Sequence, residues 1–220
     1  MAQQYDRISD RLAEFIAAQH VFFVGTAARD GRVNVSPKGL DALRVLGPNR
    51  VAWLNGTGSG NETAAHLLDV NRMTLMFCSF ERQPLILRLY GSATEIQPDQ
   101  PEWDECIGLF PPMLGARQIF DMRVDLVQTS CGYGVPFMEY ADDRPLMAQW
   151  AEKKGPDGLE AYHREKNLTT IDGLPTGLRV PARNGHFPVL TSGPANRLFA
   201  YLMDLWPNGH REGGRGRHCE

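Results

Sequence analysis

The chain has 220 residues, of which 42% are hydrophobic and 22% charged, with 23 basic against 26 acidic side chains. This length suits one domain or one domain with an appendage, and the composition is typical of a globular protein with a full core, which excludes disorder throughout. No apolar run approaches the length of a membrane span, and no apolar stretch of a secretion signal follows the polar N-terminus. We therefore expect a cytoplasmic protein that does not contact a membrane.

Charge and cysteine spacing exclude several classes of function. The segment from Arg179 to Glu220 contains six arginines and three acidic residues, whereas the first 178 residues carry 17 basic and 23 acidic side chains. An acidic body argues against nucleic acid as a partner, because phosphate backbones need clustered positive charge. The four cysteines form no CxxC pair, so neither a zinc site nor a disulfide framework is expected. The common nucleotide-fold and hydrolase motifs are also missing from the sequence.

The predicted elements begin with a helix capped by Ser9, whose Leu12, Phe15 and Ile16 form an apolar stripe. A strand over Val21–Thr26 and a returning strand over residues 33–37 follow, joined by a turn at Asp30-Gly31. Alternation and turn residues then predict strands over Arg50–Leu54, Arg72–Phe80, Leu85–Ile96 and Phe120–Leu126. Helices are predicted over Asn61–Val70 (capped by Asn61), Pro101–Leu109, Leu146–Lys154 and Gly158–Asn167.

These elements predict a mainly β (α+β) protein. Six short strands joined by hairpins, with only short helices between them, indicate a closed or partly closed antiparallel barrel. A parallel sheet would need a long helix after every strand, and none is available before Asn61. We expect the barrel domain to cover residues 1–178. Residues 179–220 form a predicted C-terminal appendage, with poor order expected towards its end.

The segment from Thr57 to Thr63 is the first candidate for a binding site. Its glycines allow backbone amides to turn towards an anion, and the N-terminus of the helix that follows adds a positive dipole end. The hydroxyls of Thr57, Ser59 and Thr63 and the amide of Asn61 supply further hydrogen bonds to a phosphate. The alternative is a flexible strand–helix connection in which these side chains only cap the helix.

The second candidate is Ser36-Pro37-Lys38-Gly39, at the end of the second predicted strand. Lys38 is the only lysine among the first 152 residues. At the rim of a barrel, its ammonium group could reach a phosphate as a point charge. The alternative is a solvated loop lysine.

Two further segments carry weaker candidates. Arg88 and Tyr90 share one face of an otherwise apolar strand, so Arg88 needs either a surface position or an anionic partner, which is a ligand or part of an edge-facing structural ion pair. In the loop from Thr129 to Pro136, Cys131 is flanked by glycines, but no Lys, Arg or His lies between Val127 and Tyr140 to lower a thiol pKa. We therefore expect Cys131 to be a packed, slowly alkylated residue rather than a nucleophile.

The combination of these strings resembles the pyridoxamine 5'-phosphate oxidase-like family of FMN-binding split β-barrels, in its functionally uncharacterised bacterial branch. The resemblance covers about residues 5–178. The strings that carry it are Val33–Asp41 (VNVSPKGLD), Gly58–Leu67 (GSGNETAAHL), Ile86–Gly91 (ILRLYG), Gln128–Pro136 (QTSCGYGVP), Trp150–Gly155 (WAEKKG) and Ile171–Pro175 (IDGLP).

The resemblance implies a six-stranded split barrel that forms a homodimer, with FMN in a groove between the subunits. In the family's oxidases, an Arg and a Lys of the second strand and a Ser-Arg-Lys run bind the FMN phosphate. Lys38 matches the Lys, but Val33 stands at the Arg position and Asn61-Glu62-Thr63 replaces the run. These departures leave F420, or no cofactor, as alternatives. The substrate segment of the vitamin B6 oxidases has no clear match.

The sequence thus predicts an FMN-binding oxidoreductase whose substrate, a small molecule, and catalytic residues stay unknown. The alternatives are a non-catalytic flavin- or ligand-binding protein or sensor, and an F420-dependent reductase. The predicted cofactor-binding residues are Ser36, Lys38, Thr57, Ser59, Asn61, Thr63 and Arg88. A metal site is not expected.

Overall fold

The computed structural model describes residues 2–180, and the predicted appendage, residues 179–220, therefore lies almost wholly outside the described residues. Eight strands form one sheet: β1 Gln3–Tyr5, β2 Phe22–Thr26, β3 Asn34–Lys38, β4 Leu43–Gly47, β5 Arg50–Gly56, β6 Met73–Cys78, β7 Ile86–Ile96 and β8 Ala116–Ser130. The helices are α1 Asp10–Ala17, α2 Glu62–Asp69, α3 Trp103–Ile107 and α4 Leu146–Lys166. No helix in this part of the chain is both long and apolar enough to cross a membrane.

Every strand pairing in the sheet is antiparallel, in the order β3-β2-β6-β7-β8-β5-β4, with β1 added to β8. In the sheet, the three strands β6, β7 and β8 lie between β2 and β5. Phe22 of β2 and Trp53 of β5 nevertheless touch, with ring centroids 6.2 Å apart. The sheet must therefore curl until its two ends meet through side chains. Because β3 and β4 remain unpaired edges, the barrel is split between them.

The barrel interior is one apolar cluster. Alternate residues of the long strands β7 and β8 point inwards, so Leu87, Leu89, Phe120 and Met122 are fully buried. Trp53 stacks on Phe120 at a centroid distance of 4.7 Å. Helix α1 covers one end of the cluster with its apolar stripe, and the Ser9 hydroxyl accepts from the N–H of Leu12 as predicted.

The prediction of a mainly antiparallel barrel with short helices is confirmed, and the structure adds the short strands β1 and β4 to the six that were predicted. Strand β1 was missed because its three residues are all exposed and show no alternation. Strand β4 was missed because all five of its residues are half-buried, which leaves no period of two. The two predicted helices near the C-terminal end of the domain correspond to α4, which bends at Gly155 (φ 64°), directly before Pro156.

The loop after β8 contains two glycines with different backbone requirements. Gly132 has a φ of 67°, and a Cβ there would lie 2.9 Å from the backbone nitrogen of Leu85. Gly134 has no positive φ and open space around it. Of the two, only Gly132 thus fixes the course of this loop.

Candidate functional site

Two adjoining cavities lie at the split of the barrel. One, of about 600 Å³, is lined mostly by polar residues of β3, β5, α2 and the segment after α4, and we call it the polar cavity. The other, of about 700 Å³, is lined by apolar residues of α4 and the β3 end, and we call it the apolar cavity. Both cavities are lined by Lys38, Gly58 and Ser59, so they form one continuous cleft.

Lys38 ends the edge strand β3 and bridges the split. Its Nζ donates to Asn55 Oδ1 of β5 at 3.1 Å and lies 5.2 Å from the centre of the Trp53 ring. Within residues 2–180, Lys38 forms no salt bridge. Burial, together with repulsion from Arg117, lowers the pKa of Lys38 to about 8. Lys38 is thus a half-buried cation that lacks an anionic partner in this part of the chain.

The loop Gly58–Asn61 and the start of α2 form one wall of the polar cavity. The Asn61 side chain is 2% exposed, and neither its amide nitrogen nor its amide oxygen has a hydrogen-bond partner. The prediction that this side chain caps α2 is therefore wrong, because Asn61 has a φ of −143° and its side chain makes no capping bond. A buried amide without partners is costly, so Asn61 is poised for a ligand atom.

Arg117 of β8 is the main site residue that sequence reasoning missed. It is 3% exposed and lines the polar cavity. Its Nη1 donates to the carbonyl of Gly60 at 3.1 Å and to Asn167 Oδ1 at 2.7 Å, and its Nε donates to Gln118 Oε1. Burial lowers the pKa of Arg117 to about 10, while Glu95 acts in the opposite direction. Since Arg117 lies just before the predicted strand, the pattern did not indicate a buried cation at this position.

Asn167, at the end of α4, is also fully buried and was not predicted. It accepts from Arg117 and donates from Nδ2 to the carbonyl of Gly58 at 3.0 Å. Two carbonyls of the glycine-rich loop therefore accept hydrogen bonds from buried side chains, that of Gly60 from Arg117 and that of Gly58 from Asn167.

Asn34 of β3 organises three hydroxyl groups, one each from β2, β3 and α2. Its Nδ2 donates to Thr26 Oγ1 at 3.2 Å and to Thr63 Oγ1 at 3.3 Å, and its Oδ1 accepts from Ser36 Oγ at 2.8 Å. Because Thr63 accepts here, its own proton remains to be donated. Because Ser36 uses its proton on Asn34, it presents lone pairs instead. The polar cavity thus has a donating end at Thr63 and an accepting end at Ser36.

Thr57 is placed differently from the other predicted loop residues. It lines the apolar cavity, and its Oγ1 donates to the carbonyl of Gly115 at 2.8 Å and lies 2.8 Å from His163 Nε2. Burial, with repulsion from Arg117, lowers the pKa of His163 to about 4, so this imidazole is neutral near pH 7. The Thr57 hydroxyl is therefore engaged in fixing the strand end against α4.

The apolar cavity is walled by α4. Trp150 and Tyr162 meet edge to face at 5.0 Å, and Leu146 and Met147 complete the wall. Such a surface of aromatic faces and a thioether suits a planar, apolar group.

The remaining predicted residues do not line the cleft. Arg88 lies on the outer face of β7, where its guanidinium donates to Ser130 Oγ at 3.2 Å, and it borders neither cavity. Cys131 borders neither cavity, and it is exposed, so the expectation that it is packed is wrong. The structure brings together Ser36, Lys38, Ser59, Asn61 and Thr63 around the polar cavity. No cluster of three or more metal-ligating side chains occurs in the described part of the chain.

Comparison with known proteins gives the following matches. The family model described as pyridoxamine 5'-phosphate oxidase matches residues 8–131. The pyridoxamine 5'-phosphate oxidase family protein ustO of Aspergillus flavus is 36% identical over 189 residues, which cover 78% of this chain and 76% of that protein.

Two solved structures are more distant. The heme storage protein HutZ of Vibrio cholerae is 17% identical, with 55% of this chain and 93% of that chain covered and a TM-score of 0.39. An FMN-binding protein of Syntrophomonas wolfei is 14% identical, with 53% and 80% covered and a TM-score of 0.38. The family model spans more than half of the chain, and the Aspergillus relative spans most of it, so the chain belongs to the pyridoxamine 5'-phosphate oxidase family.

Proposed function

We propose that this protein binds FMN in the cleft at the barrel split and acts as a flavin-dependent oxidoreductase on a small-molecule substrate. The polar cavity would hold the ribityl phosphate, and the aromatic wall of the apolar cavity would hold the ring system. When bound, the flavin supplies the redox chemistry, and the chain binds it, orients it and shields it from water.

One observation carries this proposal: the two polar atoms of Asn61 are buried without partners, and Asn61 lines the same cavity as the Lys38 cation, which has no counter-ion in the described residues. A phosphate dianion supplies the acceptor that the Lys38 ammonium and the Asn61 amide nitrogen both lack, since its oxygens accept from an ammonium and from an amide N–H. The Thr63 hydroxyl and the N-terminus of α2 add donors on the same wall.

The bound cofactor and its reduction test the proposal. We expect the purified protein to carry FMN, or to take it up, as seen by its visible absorbance and by mass spectrometry of the released ligand, and we expect NAD(P)H or another donor to bleach that absorbance. A colourless protein that takes up no FMN would contradict the proposal. Release of F420 would favour the F420-dependent reductase, and bound FMN that no donor reduces would favour a non-catalytic binder or sensor.

The pH dependence of FMN binding follows from Lys38. A bound phosphate favours the ammonium form, so binding takes up a proton wherever the pH exceeds the free pKa of about 8. Affinity is therefore fully present below this pKa and falls as the pH rises through it. We expect the FMN dissociation constant to rise about tenfold between about pH 7 and about pH 9. Fluorescence titrations of wild type and Lys38→Arg check this, because the arginine stays charged and should remove the dependence.

Homodimer formation is proposed on the family resemblance and on two exposed apolar side chains at the edge strand β3, where Val33, just before the strand, is 72% exposed and Val35, within it, is 65% exposed. We expect light scattering at micromolar concentration to give twice the chain mass of 24.6 kDa. Only the monomer mass at that concentration would contradict a groove between subunits.

A further inference from the structure

We propose that Arg117, with Asn167, makes the cleft selective for a phosphorylated flavin: the pair holds the Gly58–Asn61 loop in an anion-binding conformation, and Arg117 adds a buried positive charge to the half-buried charge of Lys38 at the polar cavity. This inference rests on the proposed function and names the part of the ligand that is recognised. Arg117 acts through the loop, so we regard it as a positioning residue.

The geometry of the loop is the first step. Arg117 donates a hydrogen bond to the carbonyl of Gly60, and Asn167 donates one to the carbonyl of Gly58. In a trans peptide, the N–H points opposite to the carbonyl, so the N–H groups of Ser59 and Asn61 point away from the Arg117–Asn167 pair. Neither N–H finds an acceptor in the described residues. Successive free N–H groups beside a helix N-terminus form an anion-binding concavity.

The charge of Arg117 is the second step. Its three hydrogen-bond acceptors are neutral: a backbone carbonyl, Asn167 and Gln118. Glu95 acts on Arg117 at longer range, but its carboxylate accepts from Gln118 and burial raises its pKa, so it is a weak counter-ion. Arg117 also repels Lys38. A buried and a half-buried cation that repel each other across one cavity are relieved by a multivalent anion, and only the phosphate distinguishes FMN from riboflavin in this respect.

The ratio of FMN to riboflavin affinity distinguishes a role of Arg117 in phosphate binding from a role in supporting the fold alone. We expect wild type to bind FMN more tightly than riboflavin, and Arg117→Met to weaken FMN binding about tenfold or more while riboflavin binding changes less than about twofold. Arg123→Met is the matched control, because Arg123 lies on the same strand but is exposed. Equal losses for both flavins, or an unchanged FMN-to-riboflavin ratio, would overturn the inference.

Asn167→Asp provides a second variant in case Arg117→Met fails to fold. The carboxylate still accepts from Arg117, so the buried guanidinium keeps its hydrogen bond, but it neutralises the charge and no longer donates to Gly58. We expect the same loss of FMN selectivity, with a melting temperature close to wild type.

A thermal-shift assay with inorganic pyrophosphate distinguishes failure of the proposed FMN binding from failure of the proposed anion site. A wild type that binds neither flavin contradicts the proposed function. If pyrophosphate then still stabilises wild type but not Asn167→Asp, the anion site is supported on its own. If pyrophosphate stabilises both proteins equally or neither, the role of Arg117 is overturned.

Discussion

Lys38→Met is expected to weaken FMN binding by about 1.5–3 kcal/mol, which corresponds to a rise of roughly ten- to 150-fold in the dissociation constant. Lys38 has no carboxylate partner in residues 2–180, and a phosphate would provide the charge-assisted hydrogen bond that it lacks. Methionine keeps most of the side-chain volume above Trp53, so the core packing should survive.

Quenching of flavin fluorescence measures this effect directly. Lys153→Met is the matched control, since Lys153 is exposed on α4 and borders neither cavity. Riboflavin should bind equally well to wild type and Lys38→Met. Unchanged FMN affinity in Lys38→Met would remove Lys38 from the phosphate site and leave it as a structural bridge between β3 and β5.

Glu62 places a negative charge at the polar cavity, but its carboxylate is engaged in a structural hydrogen bond. Its Oε1 accepts from the N–H of Ile171 at 3.2 Å, which ties the segment after α4 to the start of α2. Lys166, on the same rim, is paired with Glu165 at 2.8 Å. The positive field in the cavity therefore comes from Lys38 and Arg117. We propose that Arg117 of β8 supplies the positive charge that the family's oxidases carry at the position of Val33.

Local sequence patterns correctly predicted those elements and site residues whose positions depend on residues nearby in the chain. The stripe Leu12, Phe15 and Ile16 defined α1, and the glycine-rich segment correctly placed Ser59, Asn61 and Thr63 at one strand–helix junction. These residues lie close together because they are close in the chain. The fold class followed for the same reason, since hairpins join strands that are adjacent in sequence.

Contacts between distant segments could not be predicted in this way. Arg117 meets Gly60 across 57 residues, and Asn167 meets Gly58 across 109. Alternation shows which residues of a strand share a face, but not where that face lies relative to the cleft. This is why Arg88 was a reasonable candidate and yet lies on the outer face of β7. The site is made by curling of the sheet, and although the strand pattern indicates a barrel, it does not show which distant residues the curling brings together.

Gly91→Ala is expected to destabilise the fold by about 3 kcal/mol or more. Gly91 lies in β7 beside a register shift in the β7–β8 pairing, where the two backbones approach closely. A Cβ at Gly91 would lie 1.9 Å from the carbonyl oxygen of Arg123 and 2.9 Å from its carbonyl carbon. These are backbone atoms in the centre of the sheet, so no side-chain rotation relieves the clash.

The pairing of β7 with β8 is the longest in the sheet, and β8 also carries Arg117 at its start, so strain at Gly91 should reduce cofactor binding as well as stability. We expect the melting temperature of Gly91→Ala to fall by roughly 6–12 °C, given about 2–4 °C per kcal/mol for a chain of this size. Gly47→Ala, at a strand glycine with nothing within 4 Å of its added Cβ, is the control and should melt within about 2 °C of wild type. Equal melting temperatures for the two variants would show that the β7–β8 bulge can open to admit a side chain, and the close approach at Gly91 would then not constrain the sheet.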